Sequence, residues 1–258
     1  MNENLKPASS AEIPDVSIVI PVYNEGPVIE SVLHIILRMD FGAYVKEVVV
    51  VDDGSNDNTR TVLEKFQKTK GVKMIFRPAN GGKGAAVRDG IKEATGRVIV
   101  IQDADLEYDP TQILMLAIPI LEGQAKVVYG SRFKGQIRRM TPTRRLANRV
   151  LTSYINLVFR ANISDACTCY KIFAGEVIKG FGLKSDGFEI CHEMTAQTLR
   201  RSYDILELPV SYCARGAKEG VKSSWKDFVK QLFFILHFRY CRLTDDKIEL
   251  PEDVVHER

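Results

Sequence analysis

Short runs of β-branched and aliphatic residues recur through the first half of the chain: VSIVIPVY (16–23), VKEVVVVDDGS (45–55), VKMIFR (72–77), RVIVIQDAD (97–105) and KVVYGSRF (126–133). Between them, near 26–38, 57–69, 83–94 and 110–122, the apolar residues take helical spacing. Strands that are apolar on both faces and alternate with helices pack as a mostly parallel sheet covered on both sides, which places ligands at the carboxyl ends of the strands. The polar clusters sit at those ends: Tyr23-Asn24-Glu25, Asp52-Asp53-Gly54-Ser55, Asp103-Ala104-Asp105 and Ser131-Arg132 each follow a strand.

The second half reads differently. A helix is expected over about 143–160, with Leu146, Val150, Leu151, Tyr154, Ile155 and Val158 at helical spacing and Arg144, Arg145 and Arg149 near its start. A loop (SDACTCYKIF), a helix around 189–201, a strand ELPVSY (207–212), a Gly/Lys loop (ARGAKEGVKSS) and a terminal helix from Trp225 to Tyr240 follow. Three parts are expected: a flexible lead-in over 1–14, one α/β domain over 15–224, and an amphipathic helix with a polar tail over 225–258. The lead-in lacks the apolar centre of a signal peptide. The longest unbroken apolar runs, such as Leu232 to Leu236, fall far short of the ~20 residues that span a bilayer. The five cysteines lack the paired spacing of a zinc site or a disulfide framework, which suits a reducing cytoplasm.

The stretch QDADLEYDP carries the densest charge, with Asp103, Asp105, Glu107 and Asp109 at every second position. In extended backbone such residues stand ~6.6 Å apart on one face, and each like-charged pair costs roughly 2–3 kcal/mol at an effective dielectric near 20. A divalent cation held by Asp103 and Asp105, with Glu107 added, would relieve that repulsion; simple solvation of a strand end is the plainer alternative. Asp109-Pro-Thr-Gln112 instead fits a helix start with a capping box. Asp52 or Asp53 could cap the next helix or bind a base or ribose.

The loop ANGGKGAAVRDG lacks the Walker pattern and only approaches GxGxxG, because Val87 stands in the third glycine's place. Asp103 lies 19 residues beyond Gly84, near the spacing of a dinucleotide fold's ribose acid, so an NAD(P)-dependent oxidoreductase is the rival reading. Against it, the glycines follow the third strand rather than the first.

Net charge is only +3, yet from Gly123 to Ser164 there is no Asp or Glu while Lys126, Arg132, Lys134, Arg138, Arg139, Arg144, Arg145, Arg149 and Arg160 supply nine cations. A one-signed block rich in arginine suits a phosphate-bearing partner. The terminal helix WKDFVKQLFFILHFRY presents a wide aromatic arc with Lys226, Lys230 and His237 opposite, a pattern suited to core packing in part and to an anionic membrane surface.

Taken in order, IPVYNE, VVVDDGS, NGGKGAAVRDG, QDADLEYDP, GSRF, DACTCYKIF, FEICHEM and ARGAKEGVKSS resemble glycosyltransferase family 2, with its GT-A fold, and within it the enzymes of the dolichol-phosphate mannose synthase type. The resemblance implies an inverting transfer of a hexose from GDP-mannose or a UDP-hexose to a polyprenyl or dolichyl phosphate. Transfer to a glycan or small molecule is the alternative. It implies a nucleotide-sugar site at Pro21, Tyr23, Glu25, Val51, Asp53, Lys83, Asp103, Ala104, Asp105 and Lys222, and Mg²⁺ or Mn²⁺ on Asp103 and Asp105. Glu107 stands where relatives carry Gln as a third ligand. The acceptor phosphate falls to Arg132, Arg144 and Asn148, the last where relatives often have Ser, and Asp105, Arg132 and Arg215 act at the reacting centre. The partners implied are the donor, the lipid phosphate, a membrane protein and the cytosolic membrane face, on which the chain would sit peripherally; nucleic acid is not among them.

Overall fold

The computed structural model describes residues 13–215 and 225–241. The expected lead-in up to residue 12, Lys222 in the late loop and the tail beyond residue 241 lie outside the described residues.

Four parallel strands form one side of a seven-stranded sheet: β1 (Val16–Val22), β2 (Lys46–Asp52), β3 (Val72–Phe76) and β4 (Val98–Ile101). The central β1 pairs with β2 from Val16↔Lys46 and with β4 from Val16↔Val98. All seven β1 residues and all four β4 residues are buried, as continuous apolar runs require. Each fully enclosed Val or Ile contributes roughly 1.5–3 kcal/mol relative to exposure. The intervening helices α1 (Gly26–Arg38), α2 (Thr59–Glu64), α3 (Lys83–Glu93) and α4 (Ile113–Leu121) fall within the expected stretches, with a 3-10 turn at Pro110–Gln112 leading into α4.

Beyond α4 the sheet changes direction. β5 (Val127–Arg138) runs five residues past the expected GSRF end, and α5 (Pro142–Phe159) follows. The segment expected as a loop contains a strand, β6 (Lys171–Ala174), followed by the short α6 (Gly175–Lys179), before α7 (Ile190–Arg200), β7 (Ile205–Cys213) and α8 (Trp225–Tyr240). β6 runs antiparallel to both β4 and β5, giving the order β3-β2-β1-β4-β6-β5-β7. This places the end of β4 and the loop before β6 on one rim.

The terminal helix packs into the core in part. Phe234, Ile235 and Phe238 are buried, Ile235 against Leu151 and Ile155 of α5 and the two phenylalanines beside Ala196 of α7. Val229, Phe233, Leu236 and Tyr240 remain exposed. On α5, Leu146, Val150 and Leu157 are exposed at spacings of four and seven, hence on one stripe.

Candidate active site

The carboxyl edge is built by stitching strand ends together. Asn24, in left-handed backbone after β1, donates its amide to Ser55 Oγ (2.9 Å) and accepts the Asn56 amide (3.0 Å), so the β1 and β2 loops form one rim. Asp52 accepts the Ser55 amide in a turn rather than capping α2. Asp53 is not a cap either. Its carboxylate accepts the amides of Gly81 (3.0 Å) and Gly82 (2.8 Å) and a donor from Arg77, leaving the residue 2% exposed. Pro21, Val51 and Ala104 are buried in the strand ends, while Tyr23 is exposed on the rim.

At the opening after β4, the crowded carboxylates are answered one by one. Asp103 Oδ1 pairs with Lys83 Nζ at 2.6 Å. Asp105 Oδ2 accepts from Arg215 Nη2 at 2.9 Å, and Arg215 Nη1 donates to both oxygens of Glu25 (2.8 and 2.9 Å). Glu107 accepts the Tyr212 hydroxyl (2.7 Å) and the Arg215 amide (3.0 Å), with Arg144 Nη2 at 3.7 Å. Burial alone would lower the Lys83 ammonium, yet Asp103 carries it well above its ordinary value. Burial likewise opposes Asp103, but Lys83 and a Cys169 hydrogen bond hold its carboxyl below the usual range.

Asp105 behaves oppositely: burial first, then Asp103 and Glu107, push it up to about 7 despite Arg215 and Lys83. Asp103 and Asp105 together set two carboxylates at the carboxyl edge after β4, the oxygen donor set that a hard divalent cation takes. Both oxygens of Glu107 accept a hydrogen bond, from Tyr212 and the Arg215 amide, as both of Asp105 do from Arg215 and the Glu107 amide. Among the described residues no three His, Cys, Asp or Glu side chains gather around one point.

The expected acceptor arginines lie on the adjoining wall, with their guanidinium carbons 5.2 Å (Arg132) and 6.0 Å (Arg144) from the Tyr212 ring centroid. Arg132 is not the open ligand the sequence suggests. It is 3% exposed, and its Nε and Nη2 bind the two oxygens of Asp165 at 2.8 Å, with its amide on the same carboxylate at 3.0 Å. A guanidinium enclosed this far needs such a counter-ion. Arg144 is exposed one turn into α5, and Asn148, one turn further, is half-buried. Asp109 caps as expected, accepting the Thr111 amide (3.0 Å), but Gln112 does not close the box: its Oε1 accepts the Ser211 amide of β7 instead.

Sequence reasoning missed Tyr212 and Asp165. Each is one polar group inside an otherwise ordinary stretch, and its meaning comes from partners that the chain supplies far away. The near-GxGxxG glycines also have a packing role: a Cβ on Gly82 or Gly84 would collide with the carbonyl oxygens of Asp186 and Ser185.

Comparison with known proteins agrees with this architecture. The chain is 30% identical over 211 residues to a dolichol-phosphate mannosyltransferase of Pyrococcus furiosus, covering 79% of this chain and 58% of that protein. It is 26% identical over 225 residues to the low-salt glycan biosynthesis hexosyltransferase Agl6 of Haloferax volcanii, covering 86% and 53%. The chain thus spans little more than half the length of these two relatives. In fold it resembles glucosyl-3-phosphoglycerate synthase of Mycobacterium tuberculosis, solved with Mn²⁺, uridine diphosphate and phosphoglyceric acid. There the TM-score is 0.68 at 18% identity, over 89% of this chain and 80% of that one. The family model for glycosyl transferase family 2 matches residues 17–181, from β1 past α6, and the chain belongs to that family rather than to the oxidoreductases.

Proposed function

We propose that the chain moves a hexose, with inversion, from a nucleotide-diphosphate sugar such as GDP-mannose or a UDP-hexose to a polyprenyl phosphate. One observation carries the reading: a donor wall of Asp103, Asp105, Lys83 and Glu25 adjoins an arginine wall of Arg132 and Arg144, with Glu107 and Tyr212 between them. When bound by Asp103 and Asp105, Mg²⁺ or Mn²⁺ would stabilise charge on the departing diphosphate. Lys83 and Arg215 supply the protein's own positive charge at the same place. On the other wall Asp165 fixes the direction of Arg132, while Arg144, exposed and held by a 3.7 Å pair with Glu107, can meet a phosphate. A phosphate monoester is ionised at neutral pH, so the acceptor needs positioning rather than a general base.

The exposed stripe of Leu146, Val150 and Leu157 with Arg145 and Arg149, and the exposed face of α8, support peripheral docking at the cytosolic membrane face. Among the described residues no helix is long and apolar enough to cross a membrane. Incubation with labelled nucleotide sugars, Mg²⁺ and polyprenyl phosphate is expected to give organic-extractable label. Label confined to soluble or protein products overturns the lipid acceptor. Transfer to a glycan or small molecule is the second reading, favoured by the enclosure of Arg132; in it, label stays in the aqueous phase and activity survives replacement of Arg144 and Arg145 by Ala.

A further inference from the structure

The segment 184–189 before α7 is pinned from every side. The Gly84 and Ala85 amides donate to the Asp186 carbonyl (2.6 and 3.1 Å). Arg88 reaches the Lys184 carbonyl (2.8 Å), the Ser185 carbonyl and the Asp186 carboxylate (2.6 Å). Glu193 accepts the amides of Lys184 and Ser185, both at 2.9 Å, and Glu189 accepts the Gly187 amide. The absence of side chains at Gly82 and Gly84 is what lets this segment seat against the start of α3. Yet the residue so carefully held, Phe188, turns its ring to solvent at 60% exposure.

That ring is not remote. Lys83 Nζ lies 5.6 Å from its centroid and 2.6 Å from Asp103 Oδ1, so the aromatic face stands beside the carboxylate proposed to meet the donor's diphosphate. The next group along a nucleotide sugar from that diphosphate is the hexose, which has an apolar C–H face suited to an aromatic surface. We infer that Phe188 is the platform on which the donor's sugar ring rests, a binding and positioning residue for the sugar rather than for the nucleotide; this rests on the donor proposed above. The glycine run is then the means of fixing that platform, not a phosphate cradle.

Calorimetry with Mn²⁺ separates sugar from nucleotide by comparing UDP with UDP-glucose and GDP with GDP-mannose. Covering a few tens of Å² of sugar and ring corresponds to about tenfold in affinity. Phe188→Ala is expected to weaken the sugar nucleotide by that factor while leaving the bare nucleoside diphosphate within about twofold. Phe188→Trp restores the difference, and Phe188→Leu, which keeps apolar bulk without the flat face, recovers only part of it. Equal losses for both ligands, or no loss for the sugar nucleotide in an Ala variant with unchanged melting temperature, overturn the inference and leave the donor reading intact. If the unaltered chain binds neither class with Mn²⁺, the donor reading fails and this inference with it.

Discussion

The Arg132–Asp165 pair offers the sharpest test of how the proposed acceptor wall is built. Its side chains are 4% and 0% exposed, and three donors of Arg132 converge on one carboxylate. Asp165→Asn keeps the shape but removes the charge, leaving a guanidinium enclosed by Phe133 and Tyr212 without a counter-ion. Breaking such a pair from one side costs about 3–5 kcal/mol, a large part of the roughly 5–15 kcal/mol that holds a domain together. At ~2–4 °C per kcal/mol for a chain of this size, the melting temperature falls by about 6–20 °C. The double variant Arg132→Met with Asp165→Leu removes both charges and is expected to regain most of that loss, while losing transfer if Arg132 is the fixed cation of the proposed acceptor wall. Urea unfolding followed by circular dichroism reads both variants. A loss below about 1 kcal/mol for Asp165→Asn with an unchanged m-value, as for a surface pair, would refute the reasoning.

Arg215→Gln removes the cation that bridges Glu25 and Asp105, so without nucleotide Mn²⁺ should bind at least about tenfold more tightly by electron paramagnetic resonance; Asp105→Ala in the same background should abolish the gain. Glu47 tests the acid limit of stability: burial pushes its carboxyl up, but Lys73, Ser17 and Thr95 outweigh it and hold it below its ordinary 4.5. Its contribution is therefore complete above pH 4.5 and lost as the pH falls from there through the lower folded-state value, so Glu47→Gln should flatten that part of the acid-unfolding curve. Gly84→Ala drives a methyl into the Ser185 carbonyl; it should cost about 1–3 kcal/mol in urea unfolding and reduce sugar-nucleotide binding more than binding of the bare nucleotide.

The parallel half of the sheet is legible because its strands are self-declaring. VSIVIPV, KEVVVVD and VIVI are apolar on both faces, and only burial under helices on both sides suits such runs. β6 is not legible, because KIFA is four residues long and opens with a lysine. Lys171 is tolerated there only by contacts brought from elsewhere: its Nζ donates to the Ala166 carbonyl and lies 3.9 Å from the Tyr129 ring centroid. The same division runs through the site. That Asp103 and Asp105 stand at a ligand edge follows from the strand that precedes them. What occupies each carboxylate does not, since Lys83 comes from α3 and Arg215 from beyond β7.

Glu107 marks where local reading stops. Spacing alone makes it the third member of an acidic row, but Tyr212 of β7 and the Arg215 amide just beyond it each donate to one of its two oxygens and clamp it in place. The clamp has a chemical consequence, because it leaves Asp105 between a neighbour paired to Lys83 and a neighbour committed to β7, with Arg215 as its own counter-cation. The carboxylate of the row that burial and its acidic neighbours push up to about 7 is therefore the one held by Arg215, two residues beyond β7. A diphosphate that drew Arg215 off Asp105 would free a carboxylate that now has Arg215 as its ion-pair partner. If the proposed donor and cation share this side chain, removing Arg215 should ease entry of the free metal and weaken retention of the donor in the same variant.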